Sequence, residues 1–473
     1  MVLRVLLLVS SLFQFTLEQE VTETPLPPNP DDDILPGIRV VGPEEEPDYD
    51  YLADLPDFPK NMSNFGGIAL TQDTYRALFV RRSPLSKDLL WTADKSYYMP
   101  EVPYGFTASG SEHREFFREA LKVWERGTCV TFRPYLEGRD PHILGFAIEN
   151  TCSVHLGKQK THLQYLIISD ECSSKEDIVR SIGVTLGFLH QRLRSDRDDY
   201  ITINDPAIQP DKKHLFQKVS NLSYVTYGIP FDYTSIMQNP SQIYSKDGTP
   251  TMIAKDIQYQ GLIGRSKGEL SFYDKKLVNT HYRCISRWMK DCNIHEGKCQ
   301  NGGYIGSDCH CVCPSGTGGS DCQEVREDYY KSKLPSCNLE ITEPTRVWTP
   351  GFPFSMKPGT WCVYQINAPE GNTITLNFTK FHFEQSAPNC TEASLTTMAG
   401  NSIESICELA EDSELTYPSP LVLYLDVRNS GSNGFIVDIK FSEQTSKSTR
   451  NNSSLLSIIA ILFTYLFMAS LVE

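Results

Sequence analysis

Residues Arg180–Tyr200 read RSIGVTLGFLHQRLRSDRDDY. Val179, Ile182, Leu186, Leu189 and Leu193 recur at helical spacing and supply one buried stripe. Ser173 and Glu176 stand three apart just before that stripe, the spacing of a capping box, and predict the helix start. Arg180 and Val184 fall one turn apart on a shared face. Gly187 follows as the residue that ends the helix. An ordinary amphipathic helix would read the same up to this point. The run Arg194-Ser195-Asp196-Arg197-Asp198 directly afterwards adds a pattern that such a helix does not require.

The segment resembles the active-site helix and turn of astacin-type zinc proteases, within the metzincin pattern H-E-x-x-H-x-x-G-x-x-H. Gly187, Phe188, His190, Arg194, Asp196, Arg197 and Asp198 match the astacin extension G-F-x-H-E-x-x-R-x-D-R-D in register. The resemblance then places Arg180 at the first zinc histidine, Ser181 at the catalytic glutamate and Val184 at the second histidine. Only His190 remains of the three ligands. A catalytic zinc takes three protein ligands and an open position for water. The metal brings that water from a pKa of about 15.7 to about 7, and a carboxylate then takes its proton. Arg180 carries a permanent cation instead, and Ser181 cannot accept a proton at neutral pH. Zinc is therefore expected to be absent, with no other cofactor implied.

Other family positions depart in the same way. Tyr233-Thr234-Ser235-Ile236-Met237 resembles the Met-turn. Met237 is expected beneath the vestigial site, while Gln238 and Asn239 replace the His and the zinc-contacting Tyr. Gln191 stands where the family has a glutamate that receives the new N-terminal amine. Asn64-Phe65-Gly66-Gly67-Ile68 is similar to the propeptide stretch that puts an aspartate on zinc, with Gly67 at the aspartate's place.

Outward from this centre the chain reads as several parts. Arg4 and the apolar run Val5 to Phe15 give residues 1–18 the form of a secretory signal, too short to span a membrane. Residues 19–82 form an acidic, propeptide-like segment. Its stretches PPNPDDDILPG and GPEEEPDYDY predict disorder up to about Pro59. Arg81-Arg82 is a candidate processing site. Residues 83–286 are the astacin-like domain. Trp91 and Val102-Pro103-Tyr104 resemble the family's first strand and Thr128–Phe132 its T-C-V-x-F strand; a helix through Phe116, Phe117, Ala120, Leu121 and Trp124 and a strand Leu166–Ile168 also precede the central helix.

The 473-residue chain holds 14 cysteines, an even number, and a net charge of −15. In an oxidising compartment these pair as disulfides, and the acidic balance argues against nucleic acid as a partner. The astacin resemblance implies Cys129–Cys284 and Cys152–Cys172, and Cys172 lies eight residues before Arg180. Residues 288–323 resemble an EGF-like module, which implies Cys292–Cys309, Cys299–Cys311 and Cys313–Cys322. Residues 337–442 resemble a CUB β-sandwich, which implies Cys337–Cys362 and Cys390–Cys407. Ala393 stands near the place of a calcium-binding aspartate in that family. The alternating runs Thr373–Phe378 and Phe435–Ile439 are its strands.

Residues 443–473 form a linker and hydrophobic tail. The run Leu455–Val472 is apolar, and Lys447 and Arg450 precede it. Small residues and a polar spacer fit a GPI-attachment signal with Ser446 as the candidate anchor residue; a retained membrane helix is the alternative. Sequons lie at Asn61, Asn221, Asn377, Asn389, Asn451 and Asn452. The expected fold is α+β: a two-subdomain metzincin fold, a small disulfide-rich module and a β-sandwich. The expected function is that of a catalytically inactive astacin-like protein at the cell surface, or secreted, that binds extracellular or cell-surface proteins. The alternatives are an active zinc endopeptidase with atypical ligands and a structural matrix component.

Overall fold

The computed structural model describes residues 63–81, 89–91, 100–220, 225–384, 390–428 and 432–443. The expected signal, the acidic stretches, the hydrophobic tail, Ser446, Arg82 and the sequons at Asn61, Asn221, Asn389, Asn451 and Asn452 lie outside the described residues.

A seven-stranded sheet forms the first lobe. Its strands are β1 (Ser63–Phe65), β2 (Ile68–Leu70), β3 (Glu101–Phe106), β4 (Thr131–Pro134), β5 (Ile143–Ile148), β6 (Ser153–His155) and β7 (Leu163–Ile168), in the order β1-β2-β6-β7-β5-β3-β4. The helix Arg114–Glu125 and the helix Lys175–Thr185 pack together against this sheet. Phe117, Trp124, Phe146, Leu166, Ile178 and Ile182 are buried in one continuous core. The indole Nε1 of Trp124 donates to Val179 O at 2.8 Å, so the two helices are pinned by a hydrogen bond as well as by packing.

One sequence expectation needs correction here. The helix cap is Ser174, whose side chain accepts from the Asp177 amide, and not the pair Ser173 and Glu176. Both registers place a serine three residues before an acid; Ser173 instead turns its hydroxyl to Asp170 O at 3.2 Å. Part of the propeptide-like segment also packs into this lobe. Phe65, Ile68, Leu70, Leu78 and Phe79 are all members of the main core. Gly66 and Gly67 have φ of 62° and 90° between the paired residues Phe65 and Ile68. Two left-handed central residues make the tight hairpin turn that Gly-Gly favours. β2 then runs parallel to β6, and the Val154 amide donates to Gly67 O at 2.9 Å. The hairpin is thus an edge of the sheet.

The second lobe is mostly irregular, with the short pair β8 (Ile201–Ile203) and β9 (Met252–Ala254), then the helices Phe272–His281 and Cys284–Asp291. Cys129–Cys284 and Cys152–Cys172 are bridged. The short pairs β10 (Tyr304–Ile305) with β11 (Cys311–Val312) and β12 (Thr317–Gly318) with β13 (Glu324–Val325) follow, held by Cys292–Cys309, Cys299–Cys311 and Cys313–Cys322. So small a unit depends on such bridges for its stability.

The last module is a sandwich of two sheets. One contains β14 (Leu339–Ile341), β16 (Trp361–Ile366), β18 (Ala393–Ala399), β19 (Ser402–Ile406) and β21 (Leu421–Val427). The other contains β15 (Thr345–Trp348), β17 (Asn372–His382), β20 (Ser413–Pro418) and β22 (Gly434–Glu443). Cys337–Cys362 and Cys390–Cys407 are bridged. The sequon residue Asn377 lies half-buried in mid-strand on β17. The five-stranded sheet turns one face to the second lobe. Trp361, Val363, Met398 and Tyr424 join Phe231, Tyr233, Met252 and Leu262 in a shared apolar cluster. At the centre of this junction Asp426 accepts from Arg265, from Arg428 at 2.7 Å and from Gln242 at 2.8 Å.

Candidate functional site

The helix Lys175–Thr185 carries Arg180 and Ser181 on one turn and Val184 on the next. It ends at Gly187, whose φ of 96° is a conformation that favours glycine. The indole Nε1 of Trp91 donates to Thr185 O and the Tyr282 hydroxyl to Leu186 O, so the last turn's carbonyls are satisfied. The chain then reverses and brings His190 and Gln191 back beside the turn containing Met237. The Gln191 amide donates to Met237 O at 3.0 Å. Met237 is buried directly below the helix. A Cβ at Gly183 would stand 2.5 Å from its Sδ and 2.7 Å from the Trp124 ring, so only glycine lets the three meet.

Each expected position has a definite environment. Arg180 is buried and folds back along its own helix. Its Nη1 reaches Asp177 at 2.6 Å and its Nε donates to Ile236 O at 2.9 Å. It is therefore not an open cation in the pocket. The signal for this is an acid three residues earlier, the i,i+3 spacing of helical ion pairs. Ser181 is half-buried and Val184 is fully buried in the apolar core. His190 is 6 % exposed, and its Nδ1 has no hydrogen-bond partner among the described residues. Burial holds this imidazole well below its ordinary pKa, with Arg192 and Arg180 adding to the effect, so it is neutral.

Gln191 is buried and its Nε2 lies 3.3 Å from Ser235 Oγ. Asn239 is buried and its Oδ1 accepts from Arg192 Nη1. Nothing in the sequence singles out Arg192, because neither periodicity nor a matched motif position marks it. Arg194 pairs in a fork with Asp196 at 2.8 and 2.7 Å and donates to Ile229 O at 2.9 Å. Arg197 donates to Arg192 O and Phe216 O. This turn is a scaffold that ties the reversed chain to the second lobe.

Beneath Met237, Asp274 accepts from Ser235 Oγ at 2.5 Å, Ile236 N at 2.8 Å and Ser271 N at 3.0 Å. Burial, with Asp232 nearby, pushes its carboxyl up to about 6. Asp232 is fully buried and takes the Thr234 amide and the Tyr330 hydroxyl. These carboxylates hold the amides and hydroxyls of the turn.

The donor set does not fit zinc. Tetrahedral zinc sites draw on sulfur, imidazole and carboxylate ligands. A guanidinium tied to Asp177, an apolar Val184 and one imidazole supply a single such donor. Among the described residues no group of three or more His, Cys, Asp or Glu side chains could hold a metal ion. No step can be routed through a metal on this donor set.

Comparison with known proteins places these features in families. Residues 91–283 match the model of the astacin peptidase family, and residues 337–438 match that of the CUB domain. The chain is 32 % identical over 289 residues to Protein SpAN of Strongylocentrotus purpuratus, covering 60 % of this chain and 46 % of that protein. It is 33 % identical over 292 residues to Blastula protease 10 of Paracentrotus lividus, covering 60 % and 48 %. It is 32 % identical over 296 residues to Zinc metalloproteinase nas-34 of Caenorhabditis elegans, covering 61 % and 46 %. The chain thus spans about half the length of each of these relatives. The core, helix and turn described above thus lie in a region that matches the astacin family, and the sandwich lies in one that matches the CUB domain.

Proposed function

We propose that this chain is an extracellular, astacin-derived binding protein without peptidase activity. The observation that carries the reading is the use of the old ligand positions for something else. Arg180 is committed to Asp177 and Ile236 O, and Val184 is core. A general base is lacking too, since Ser181 stands where a carboxylate would be needed. The module at residues 292–322, with three bridges, reads as EGF-like, and with the CUB sandwich it supplies surface for protein partners. The working test is elemental analysis of the purified ectodomain together with peptide-hydrolysis assays. Less than about 0.1 zinc per chain and no chelator-sensitive cleavage are expected. One zinc per chain with chelator-sensitive cleavage would establish the active endopeptidase instead.

We place the protein at the outer cell surface, through a lipid anchor near Ser446. The support is the apolar run Leu455–Val472 with Lys447 and Arg450 on its N-terminal side. Among the described residues no helix is long and apolar enough to cross a membrane, and the tail lies outside them. Treatment of expressing cells with phosphatidylinositol-specific phospholipase is expected to release the protein. Retention, with the tail peptide still attached by mass spectrometry, would show a spanning helix.

A further inference from the structure

The outer face of the four-stranded sheet carries one largely uncovered indole. Val347, Val437, Ile439, Leu376 and Phe378 point into the core of the sandwich. Alternation along each strand then turns Arg346, Trp348, Ile436, Asp438 and Asn377 to the opposite side. Trp348 is 60 % exposed, whereas Trp91, Trp124, Trp288 and Trp361 are all buried. Its strand, β15, is an edge of this sheet. Single exposed apolar side chains are common on protein surfaces, so exposure alone identifies nothing. An apolar side chain on an uncovered edge strand nonetheless invites unwanted strand pairing, which native proteins block by covering the edge.

A second residue on the same face supplies the cover. Asn377-Phe378-Thr379 is a sequon. Asn377 pairs with Asp438, Asp438 pairs with Arg346, and Trp348 pairs with Ile436. Asn377 is therefore two strands across from Trp348 and two residues along. Those steps are about 10 Å and about 7 Å, which puts the two Cα atoms about 12 Å apart. Between them Ile436 is half-buried, and Asp438 is bound in a fork to Arg346 at 2.6 and 2.7 Å. Asn377 is itself half-buried, and Oδ1 is the buried atom of its carboxamide. The nitrogen, which is the atom that takes a sugar, is then the end toward solvent. The two N-acetylglucosamines of an N-linked core span the gap from that nitrogen to the indole. A pyranose presents a face of C–H bonds, and such a face packs well on the negative π face of an indole.

We propose that Asn377 carries an N-linked glycan whose first sugars stack on Trp348, so that this chain's own carbohydrate covers the outer face of the four-stranded sheet. That face is then closed to protein partners. The five-stranded sheet is already docked on the second lobe through Trp361, Val363, Met398 and Tyr424. Protein partners of this module are left its connecting loops, where Phe354, in the loop after β15, stands 77 % exposed. The inference rests on the extracellular reading, because only a secreted chain meets the glycosylation machinery.

The test uses the full chain made in a cell that glycosylates secreted proteins. Asn377→Gln and Thr379→Ala each abolish the sequon, and each is expected to remove the mass of one glycan. Acrylamide quenching then reads the indoles. Trp348 is the one exposed tryptophan of five, so it supplies the readily quenched fluorescence. Trp348→Ala checks that assignment by removing this component. The quenched fraction is expected to be near zero in the glycosylated chain and about one-fifth in either sequon variant, one indole of five. If neither variant is secreted, removing the glycans from the folded wild-type chain with peptide N-glycosidase is expected to give the same rise. A glycan on Asn377 with Trp348 equally quenched before and after its removal would overturn the stacking. An unmodified Asn377 beside glycans at other sequons would overturn the site and leave the extracellular reading intact. A chain with no N-linked glycan at all would overturn both.

Discussion

Asp426→Ala should destabilise the folded chain by about 3–5 kcal/mol and loosen the CUB sandwich from the second lobe. The estimate is the usual loss when one partner of a buried charge network is removed. Asp426 is 2 % exposed and is the shared acceptor of Arg265 from the second lobe and Arg428 from its own module. Burial pushes its carboxyl up, but the two guanidiniums outweigh that and hold it below its ordinary pKa. Without it, two guanidiniums face each other across the junction with no anion between them. Arg265 also donates to Gly359 O at 3.0 Å, and Arg428 to Cys390 O at 2.8 Å, so neither can simply swing into water. Beyond such hydrogen bonds to backbone carbonyls, the remaining attraction is apolar, with Trp361 packed on Gly261, where a Cβ would stand 2.0 Å from the ring. The measurement is thermal unfolding with limited proteolysis. Wild type should melt with the two modules coupled, and the variant should show a separate, earlier transition and cutting between them. A variant within about 1 kcal/mol of wild type would mean that the apolar cluster alone holds the junction. An Asp426→Leu/Arg265→Met double change should restore part of the loss, because it replaces the cross-junction pair with apolar contact.

None of that clamp is legible in the sequence. Arg265 and Asp426 stand far apart in the chain, and nothing in either neighbourhood announces the other. The legible parts are those with short spacings. The helix stripe from Val179 to Leu193, the stop at Gly187 and the turn at Met237 can all be placed because each has a local rule. The spacing rule puts the cap one residue early because Ser173 and Ser174 both precede an acid by three. The hairpin at residues 63–70 is hidden differently. The sequence reading took Asn64–Ile68 for a propeptide-like stretch, although Gly-Gly between apolar residues is itself a hairpin signal. Its burial depends on β6, which lies more than eighty residues later. Arg192 escapes a sequence reading because its contacts, Leu215 O and Asn239 Oδ1, lie far along the chain.

Restoring the three lost catalytic positions alone should not restore the metal. In Arg180→His/Ser181→Glu/Val184→His, the helix regains two imidazoles that can join His190. Arg192 would still stand in that site, close enough to lower the pKa of His190. Its own guanidinium is already pulled down to about 10, chiefly by burial. A divalent ion beside a buried cation costs on the order of several kcal/mol at an effective dielectric of about 20. That is enough to offset a large part of the affinity that three good ligands give. The triple variant is therefore expected to carry less than about 0.1 zinc per chain. Adding Arg192→Gln removes the charge while keeping a group that can still bond to Asn239, and this quadruple variant is expected to carry about one. The readout is elemental analysis after dialysis against micromolar zinc, with circular dichroism to confirm folding. Stoichiometric zinc in the triple variant would show that Arg192 swings clear and that the loss of metal lies in the ligands alone. Peptide cleavage should stay absent even in the quadruple variant. Asn239 offers no phenol hydroxyl beside the site, and the hairpin β1–β2 still lies along β6 as part of the core. Metal affinity and turnover would then return in separate steps, the first set by charge and the second by the residues and strand that surround it.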